Sequence, residues 1–281
     1  MPELEGSIFQ LESIRGKSLT PRKTDILNAL ACESANEAAR RIDGHCPPLT
    51  ETEDAADYLW DVWQVIVDIA MSPDATTEIY DHLVTILQGL TQVAKGELLV
   101  WTGIKRVWAD LPLWPQCMET YDKDPIKEGE ELTPESLHLW RNWCFFGARC
   151  TGGGVLGMYV QQIDALRGAL EEELAIEQDL AKVECQLQVA FEWITHTARN
   201  LLWWAQENIG LVDVAQDSTQ YFPGGPLYQG PPCVCLRRWG FWQARFEELG
   251  KHPGLSEEIR NAALGSAETM TTVEKRIANA I

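Results

Sequence analysis

The stretch QVAFEWITHTARNLLWWAQE, residues 188–207, decides the fold of this chain, because twenty residues pass without Gly or Pro. Apolar residues occupy most directions around the predicted helix, while Glu192, His196 and Asn200 form a polar row at i, i+4 and i+8. A helix that is apolar on most sides is buried near the centre of a helical bundle. The polar row is either a ligand-binding row in a pocket or the solvent-exposed face of an amphipathic helix.

Helix signals recur along the rest of the chain. Thr20-Pro21 and Thr133-Pro134 each combine an N-cap with Pro at the first helical position, and Ser256 is a further N-cap. Helices are predicted over residues 20–41, 52–71, 76–94, 134–151, 159–177, onward to 207, 236–249 and from 256, with an irregular loop over 221–232. We therefore predict a single all-α domain over residues 1–281, with roughly nine to eleven helices.

Composition limits the classes of partner. The net charge is −19, which argues against nucleic acid or an anionic membrane as a general partner. No run of eighteen apolar residues predicts a membrane span, and residues 1–16 do not resemble a secretory signal. The eight cysteines are therefore expected to be reduced thiols in a cytoplasmic protein.

A second polar row lies on the helix predicted over residues 52–71. Asp54, Asp57, Asp61, Gln64 and Asp68 follow one another at spacings of three and four residues, which places them on one face. Charged rows usually face water, so a solvated stripe is one interpretation. The other is a Mg²⁺ site, because Mg²⁺ takes a few carboxylate oxygens together with waters and substrate phosphates. The Glu192 row would then face it across the bundle.

Basic and aromatic side chains give a third pattern. Arg149 and Arg199 lie among Trp and Phe, and Arg237 and Arg238 precede WGFW. An Arg can bind phosphate with two parallel hydrogen bonds or stack on Trp, but it can equally pair with one of the many carboxylates. The twelve Trp residues allow a similar choice, since Trp lines apolar ligand cavities and also fills ordinary helical cores.

Several motifs together resemble a known family. They are WADLPLW (108–114), LWRNWCFFGARC (139–150), IDALRGALE (163–171), FEWITHTA (191–198) and GGPLYQGPPCVCLRRWGFWQARF (224–246). In this order they resemble a fungal secondary-metabolite family labelled as a domain of unknown function and named after an oxopyrrolidine cluster protein. The resemblance covers residues 59–249. The non-canonical fungal humulene synthases are similar to this family, which implies a class I terpene cyclase-like helical fold, Mg²⁺ and farnesyl diphosphate.

The leading functional prediction is a Mg²⁺-dependent sesquiterpene cyclase, a diphosphate lyase of humulene type. Metal ligands are predicted at Asp61, Asp68 and Glu192, and catalytic roles at Glu192, His196 and Arg199. Substrate-binding residues are predicted at Trp60, Trp63, Arg149, Trp193, Asn200, Trp203 and Lys275. The metal ligands are chosen from periodicity alone, because no DDxxD motif occurs.

Two other functions remain open. The chain could be a non-catalytic helical binding or scaffold protein with a Trp-lined pocket for an apolar metabolite. It could also be a cofactor-free cyclase or isomerase of a neutral metabolite, with His196 or Glu192 as general acid or base. A homodimer is compatible with each of the three.

Overall fold

The computed structural model describes residues 14, 19–128, 132–210 and 222–279. Most of these residues are helical, and the strands among them form one two-stranded hairpin, which confirms the all-α prediction. The chain divides into two compact units, Met1–Leu156 and Gly157–Ile281, described in turn below. The single domain and the terpene cyclase-like arrangement stay predictions. Most of residues 1–16, to which the prediction on a secretory signal applies, and residue 221 of the predicted loop lie outside the described residues.

The N-terminal unit contains seven described helices and the hairpin. They are α1 (Pro21–Leu30), α2 (Ala35–His45), α3 (Thr52–Ala70), α4 (Thr77–Thr91), β1 (Glu97–Val100), β2 (Gly103–Arg106), α5 (Trp114–Thr120), α6 (Pro125–Glu128) and α7 (Pro134–Gly152). Helix α3 contacts α1, α4, α5, α7 and β1. Most of its apolar residues, among them Leu59, Val62 and Ile66, are buried, so this helix forms the centre of the unit.

The predicted helix over residues 20–41 is wrong, because the structure divides it into α1 and α2. Thr20 caps α1 as predicted, its side chain accepting a hydrogen bond from the Lys23 amide. Helix α1 ends at Leu30, and a second cap follows at Ser34, whose hydroxyl accepts from the Glu37 amide. The Ala-rich sequence around this break favours helix on both sides and conceals the new cap.

An aromatic core anchors the segment that follows the hairpin. The Trp63 ring lies 6.0 Å from that of Trp108 and 5.6 Å from that of Trp114. The Trp63 indole N–H also donates a 2.7 Å hydrogen bond to the Pro112 carbonyl. Trp108, Leu111 and Leu113 have positive φ angles of 66°, 42° and 69°, which bulky side chains rarely adopt. Packing around Trp63 holds this strained WADLPLW turn in place.

The hairpin falls between the helices predicted over residues 76–94 and 134–151, where no element was predicted. Strands β1 and β2 pair antiparallel, with Glu97 opposite Arg106 and Leu99 opposite Ile104. The two strands have four residues each, too short for a clear two-residue alternation in the sequence.

The C-terminal unit is built around one long helix. Its described elements are α8 (Tyr159–Leu170), α9 (Leu180–Glu207), α10 (Leu236–Leu249) and α11 (Glu257–Ala278). Helix α9 contacts each of the other three, in agreement with the prediction that residues 188–207 form a buried helix. It ends at Asn208, a left-handed C-cap with φ 51°. Ser256 caps α11 as predicted, accepting from the Ile259 amide.

A buried ion pair attaches the loop before α10 to the end of α8. Glu171 and Arg238 have no exposed side-chain surface, and Arg238 Nε lies 2.6 Å from Glu171 Oε1. The Trp242 indole N–H donates to the same oxygen at 2.7 Å, and the Gly225 amide donates to Oε2 at 2.7 Å. Arg238 also donates to the Phe222 carbonyl at 2.8 Å. This network fixes the glycine- and proline-rich loop against the helices.

Candidate functional site

A groove runs between the C-terminal halves of α9 and α11. It has a volume of about 740 Å³ and is lined by Arg199, Asn200, Trp203, Gln206, Val273, Arg276 and Ile277. The helical period produces this lining, because residues 199, 203 and 206 share one face of α9, and residues 273, 276 and 277 share one face of α11. The groove thus collects amide, guanidinium, indole and aliphatic groups from only two helices.

A second hollow of about 400 Å³ continues the groove toward the middle of α9. Its lining includes His196, Thr195, Glu268 and Thr272, and it shares Arg199, Val273 and Arg276 with the groove. Three predicted site residues on α9, His196, Arg199 and Asn200, therefore line one continuous surface with Trp203, which was also predicted. Arg276 was not predicted, because a basic residue in the last turn of a helix is already explained by the helix dipole.

Two arginines give the groove its charge. Within the described part of the chain, no hydrogen bond or ion pair engages the guanidinium of Arg199 or Arg276. Both are exposed, and both line the same groove. In a chain of net charge −19, where acidic side chains outnumber basic ones, two such cations on one surface favour an anionic ligand.

Glu192 and His196 form a close pair on the same polar row. The Nε2 atom of His196 lies 3.1 Å from Oε1 of Glu192, one helical turn away, and both side chains are only partly exposed. A carboxylate this close to an imidazole can orient the ring. The pair has the chemistry of a general acid or base at the edge of the groove.

The aspartate row of α3 is engaged by cations from α1. Arg22 forms an ion pair with Asp54, and Lys23 Nζ lies 3.4 Å from Asp61 Oδ1. Lys23 also donates a 2.7 Å hydrogen bond to the Gln64 side chain. The hydrogen bond to Asp54 is the main cause that raises the pKa of Arg22. Ion pairs along the row therefore connect α3 to α1 in the N-terminal unit, so the row does not face only water.

Asp68 lies farther along the same face, near Cys117 and Tyr121. Burial raises the pKa of the Cys117 thiol to about 12, and the charge of Asp68 adds to this effect. The same two causes, burial first, raise the pKa of Tyr121. Asp68 therefore faces groups that stay protonated at neutral pH.

The proposed metal ligands draw on both units, since Asp61 and Asp68 belong to the N-terminal unit and Glu192 to the C-terminal one. Among residues 19–128, 132–210 and 222–279, no group of three or more His, Cys, Asp or Glu side chains is arranged to hold a metal ion. Asp61 already contacts two cationic side chains, Lys23 and Arg22. Its surroundings do not suit a Mg²⁺ ligand in this arrangement, and the Mg²⁺ requirement stays a prediction.

The remaining predicted substrate-binding residues lie elsewhere. Trp63 and Trp193 are completely buried in their units. Trp60 is partly exposed and packs 5.9 Å from the Trp101 ring. Lys275 is exposed in the last turn of α11, beside Arg276, and is not part of the groove lining.

Arg149, also predicted to bind substrate, is a buried structural residue in the N-terminal unit. Its Nε donates a 3.0 Å hydrogen bond to Asp81, and its guanidinium lies 5.2 Å from the Tyr80 ring centroid. Burial lowers the pKa of Arg149, an effect that the charge of Asp81 opposes. The guanidinium thus joins α7 to α4.

Comparison with known proteins identifies the family of the chain. Residues 63–246 match the model of the family described as "Protein of unknown function (DUF3632)", and the chain belongs to that family. No curated protein matches the chain. No solved structure matches it either. No helix within the described residues is long and apolar enough to cross a membrane.

Proposed function

We propose that the protein binds a small amphiphilic anion in the groove between α9 and α11. The observation that carries the proposal is the pairing of Arg199 and Arg276 with Trp203 along one groove. A volume of about 740 Å³ lies within the roughly 300–1,000 Å³ typical of small-molecule sites. The two guanidinium groups would bind the anionic head of the ligand, and the indole would cover its apolar part.

The chemistry of the lining favours a phosphate ester over a simple carboxylic acid. Two guanidinium groups offer more donors than one carboxylate can accept, whereas a diphosphate can accept from both. Val273 and Ile277 extend the apolar wall beyond Trp203. An isoprenoid diphosphate combines the required head and chain, and it is also the substrate class that the sequence resemblance implies.

Calorimetry with farnesyl diphosphate in the presence of a chelator tests this binding. Removal of one charged hydrogen-bonding group costs about 1.5–3 kcal/mol, so Arg276→Gln should weaken binding by at least tenfold. Arg237→Gln is the matched control, because Arg237 is an exposed arginine on another helix. Farnesol and inorganic diphosphate should each bind more weakly than the intact ester. Equal affinity of the wild type and Arg276→Gln for farnesyl diphosphate would show that the ligand does not bind in this groove.

A second candidate function is the cyclisation of the bound diphosphate. The position of the Glu192–His196 pair favours it, because His196 lines the hollow that continues the groove and lies 3.1 Å from Glu192. Departure of the diphosphate would leave a carbocation on the chain, and the pair could accept the proton whose loss converts that cation to a hydrocarbon. Trp203 could stabilise positive charge through its ring.

Product analysis distinguishes the candidate functions. The cyclase should convert farnesyl diphosphate to a hydrocarbon when Mg²⁺ is present, and Glu192→Gln should abolish turnover while leaving binding intact. A cofactor-free isomerase or cyclase should stay active on a neutral metabolite in the presence of a chelator. If the protein binds the ten-, fifteen- and twenty-carbon diphosphates but forms no product from any of them, binding is its only function among these candidates.

A further inference from the structure

The hairpin carries an exposed apolar cluster that the proposed ligand site does not use. Trp101, Ile104 and Leu99 are 68%, 67% and 64% exposed, the highest values among the large hydrophobic side chains of the described residues. The next in order, Leu236, is 56% exposed. Single exposed apolar side chains are ordinary, but three within six residues form a patch that indicates an interaction surface.

The three side chains form one outward surface on a firmly attached hairpin. Leu99 and Ile104 are cross-strand partners and therefore share a face. Leu98 and Val100, on either side of Leu99, point the other way and are 2% and 6% exposed, so they attach the hairpin to the core of its unit. The exposed face is thus presented by a backbone that packing holds in place.

Polarity changes along the length of the hairpin. Trp101 occupies the turn, and the Val100–Gly103 and Leu99–Ile104 pairs follow. Lys105, opposite Leu98, is the first charged residue, and the Glu97–Arg106 pair lies one residue beyond it, where Arg106 Nη2 is 2.6 Å from Asp110 Oδ1. At about 3.4 Å per residue, the apolar zone extends roughly 7–10 Å before the first charges. This length matches the depth of about 5–10 Å at which amphipathic elements lie in the membrane interface.

We propose that this hairpin tip inserts into the interfacial region of a zwitterionic lipid surface. A tryptophan at the turn suits that region, where its ring meets both headgroups and acyl chains. The charges at the base balance, since Lys105 and Arg106 stand against Glu97 and Asp110, and Arg106 pairs with Asp110. The net charge of −19 opposes approach to anionic lipids. Insertion would therefore depend on apolar contact rather than on electrostatic attraction.

A second copy of the chain fits the patch less well. One Trp and two aliphatic side chains, each about two-thirds exposed, present roughly 400 Å². Stable protein interfaces cover about 800 Å² on each partner. The patch alone is too small for a stable dimer, whereas interfacial insertion requires only a few apolar side chains.

Vesicle flotation of the full-length chain tests the proposal. With phosphatidylcholine vesicles, the wild type should float, and the variant Leu99→Ser/Trp101→Ser/Ile104→Ser should show at least a tenfold lower bound fraction. The substituted side chains are exposed, so circular dichroism should show an unchanged helical content. Added phosphatidylserine should lower binding of the wild type, and salt should not abolish binding to phosphatidylcholine.

The matched control is Leu236→Ser, which removes the next most exposed large hydrophobic side chain and should float like the wild type. A wild type that stays with the lipid-free fraction would overturn the proposal, as would a triple variant that floats equally well. Light scattering that shows a dimer for the wild type and a monomer for the triple variant would assign the patch to a second copy of the chain.

Discussion

Replacement of Arg238 by Met should destabilise the C-terminal unit by about 3–5 kcal/mol. The guanidinium has no exposed surface and donates to both oxygens of an equally buried Glu171, at 2.6 and 3.0 Å. Met fills much of the same volume but leaves the carboxylate without its counter-charge. Removal of one partner of a buried ion pair costs this much because the other charge remains in a medium of low polarity. Hydrogen bonds from Trp242 and Gly225 to Glu171 offset only part of this cost.

Urea denaturation followed by tryptophan emission measures the free energy of unfolding. The neighbouring Arg237 is exposed, so Arg237→Met should change stability by less than about 0.5 kcal/mol. The double variant Glu171→Leu/Arg238→Met should be more stable than Arg238→Met alone, because it removes the unpaired charge. A cost below about 1 kcal/mol for Arg238→Met, or the same cost as for Arg237→Met, would refute the reasoning.

Two further predictions concern the N-terminal unit. Thr133→Ala should lower the free energy of unfolding by about 1 kcal/mol, because the Thr133 hydroxyl and the Ser136 amide form half of a reciprocal capping box; an unchanged urea midpoint would contradict this. Burial lowers the pKa of both His82 and His138 from 6.5, so the unfolded state binds protons first and stability should fall as pH drops below about 6.5. The variant His82→Gln/His138→Gln should flatten this dependence between pH 7 and 5.5, and an equally steep profile would show that other groups cause it.

The sequence predicts elements well where periodicity and caps agree. Helix α10 spans Leu236–Leu249 as predicted, and α3 begins at Thr52 as predicted. A break such as that at Ser34 is invisible in an Ala-rich segment, because helix propensity stays high on both sides. Propensity and period describe local structure, so they find long helices and miss short interruptions.

The same limit applies to predicting the candidate site from the sequence. The site residues on α9 could be predicted because residues 196, 199, 200 and 203 lie on one helix, within about two turns of one another. Arg276 joins them only through the packing of α9 on α11, which no local pattern encodes. Glu171 and Arg238 are separated by 67 positions, so their pairing could not be predicted from the sequence. The cationic partners of Asp54 and Asp61 lie on α1, so these ion pairs could not be predicted for the same reason.

Photoaffinity labelling tests the central claim most directly. An isoprenoid diphosphate analogue with a diazirine near the end of its chain would be photolysed on the full-length protein, and the labelled peptides would be sequenced by mass spectrometry. If the ligand binds in the groove, we expect labels within residues 196–206 of α9 and 269–277 of α11. Added farnesyl diphosphate should suppress this labelling. Labels concentrated instead on α3, around Trp60 and Asp61, or labels that farnesyl diphosphate does not suppress, would contradict ligand binding in this groove.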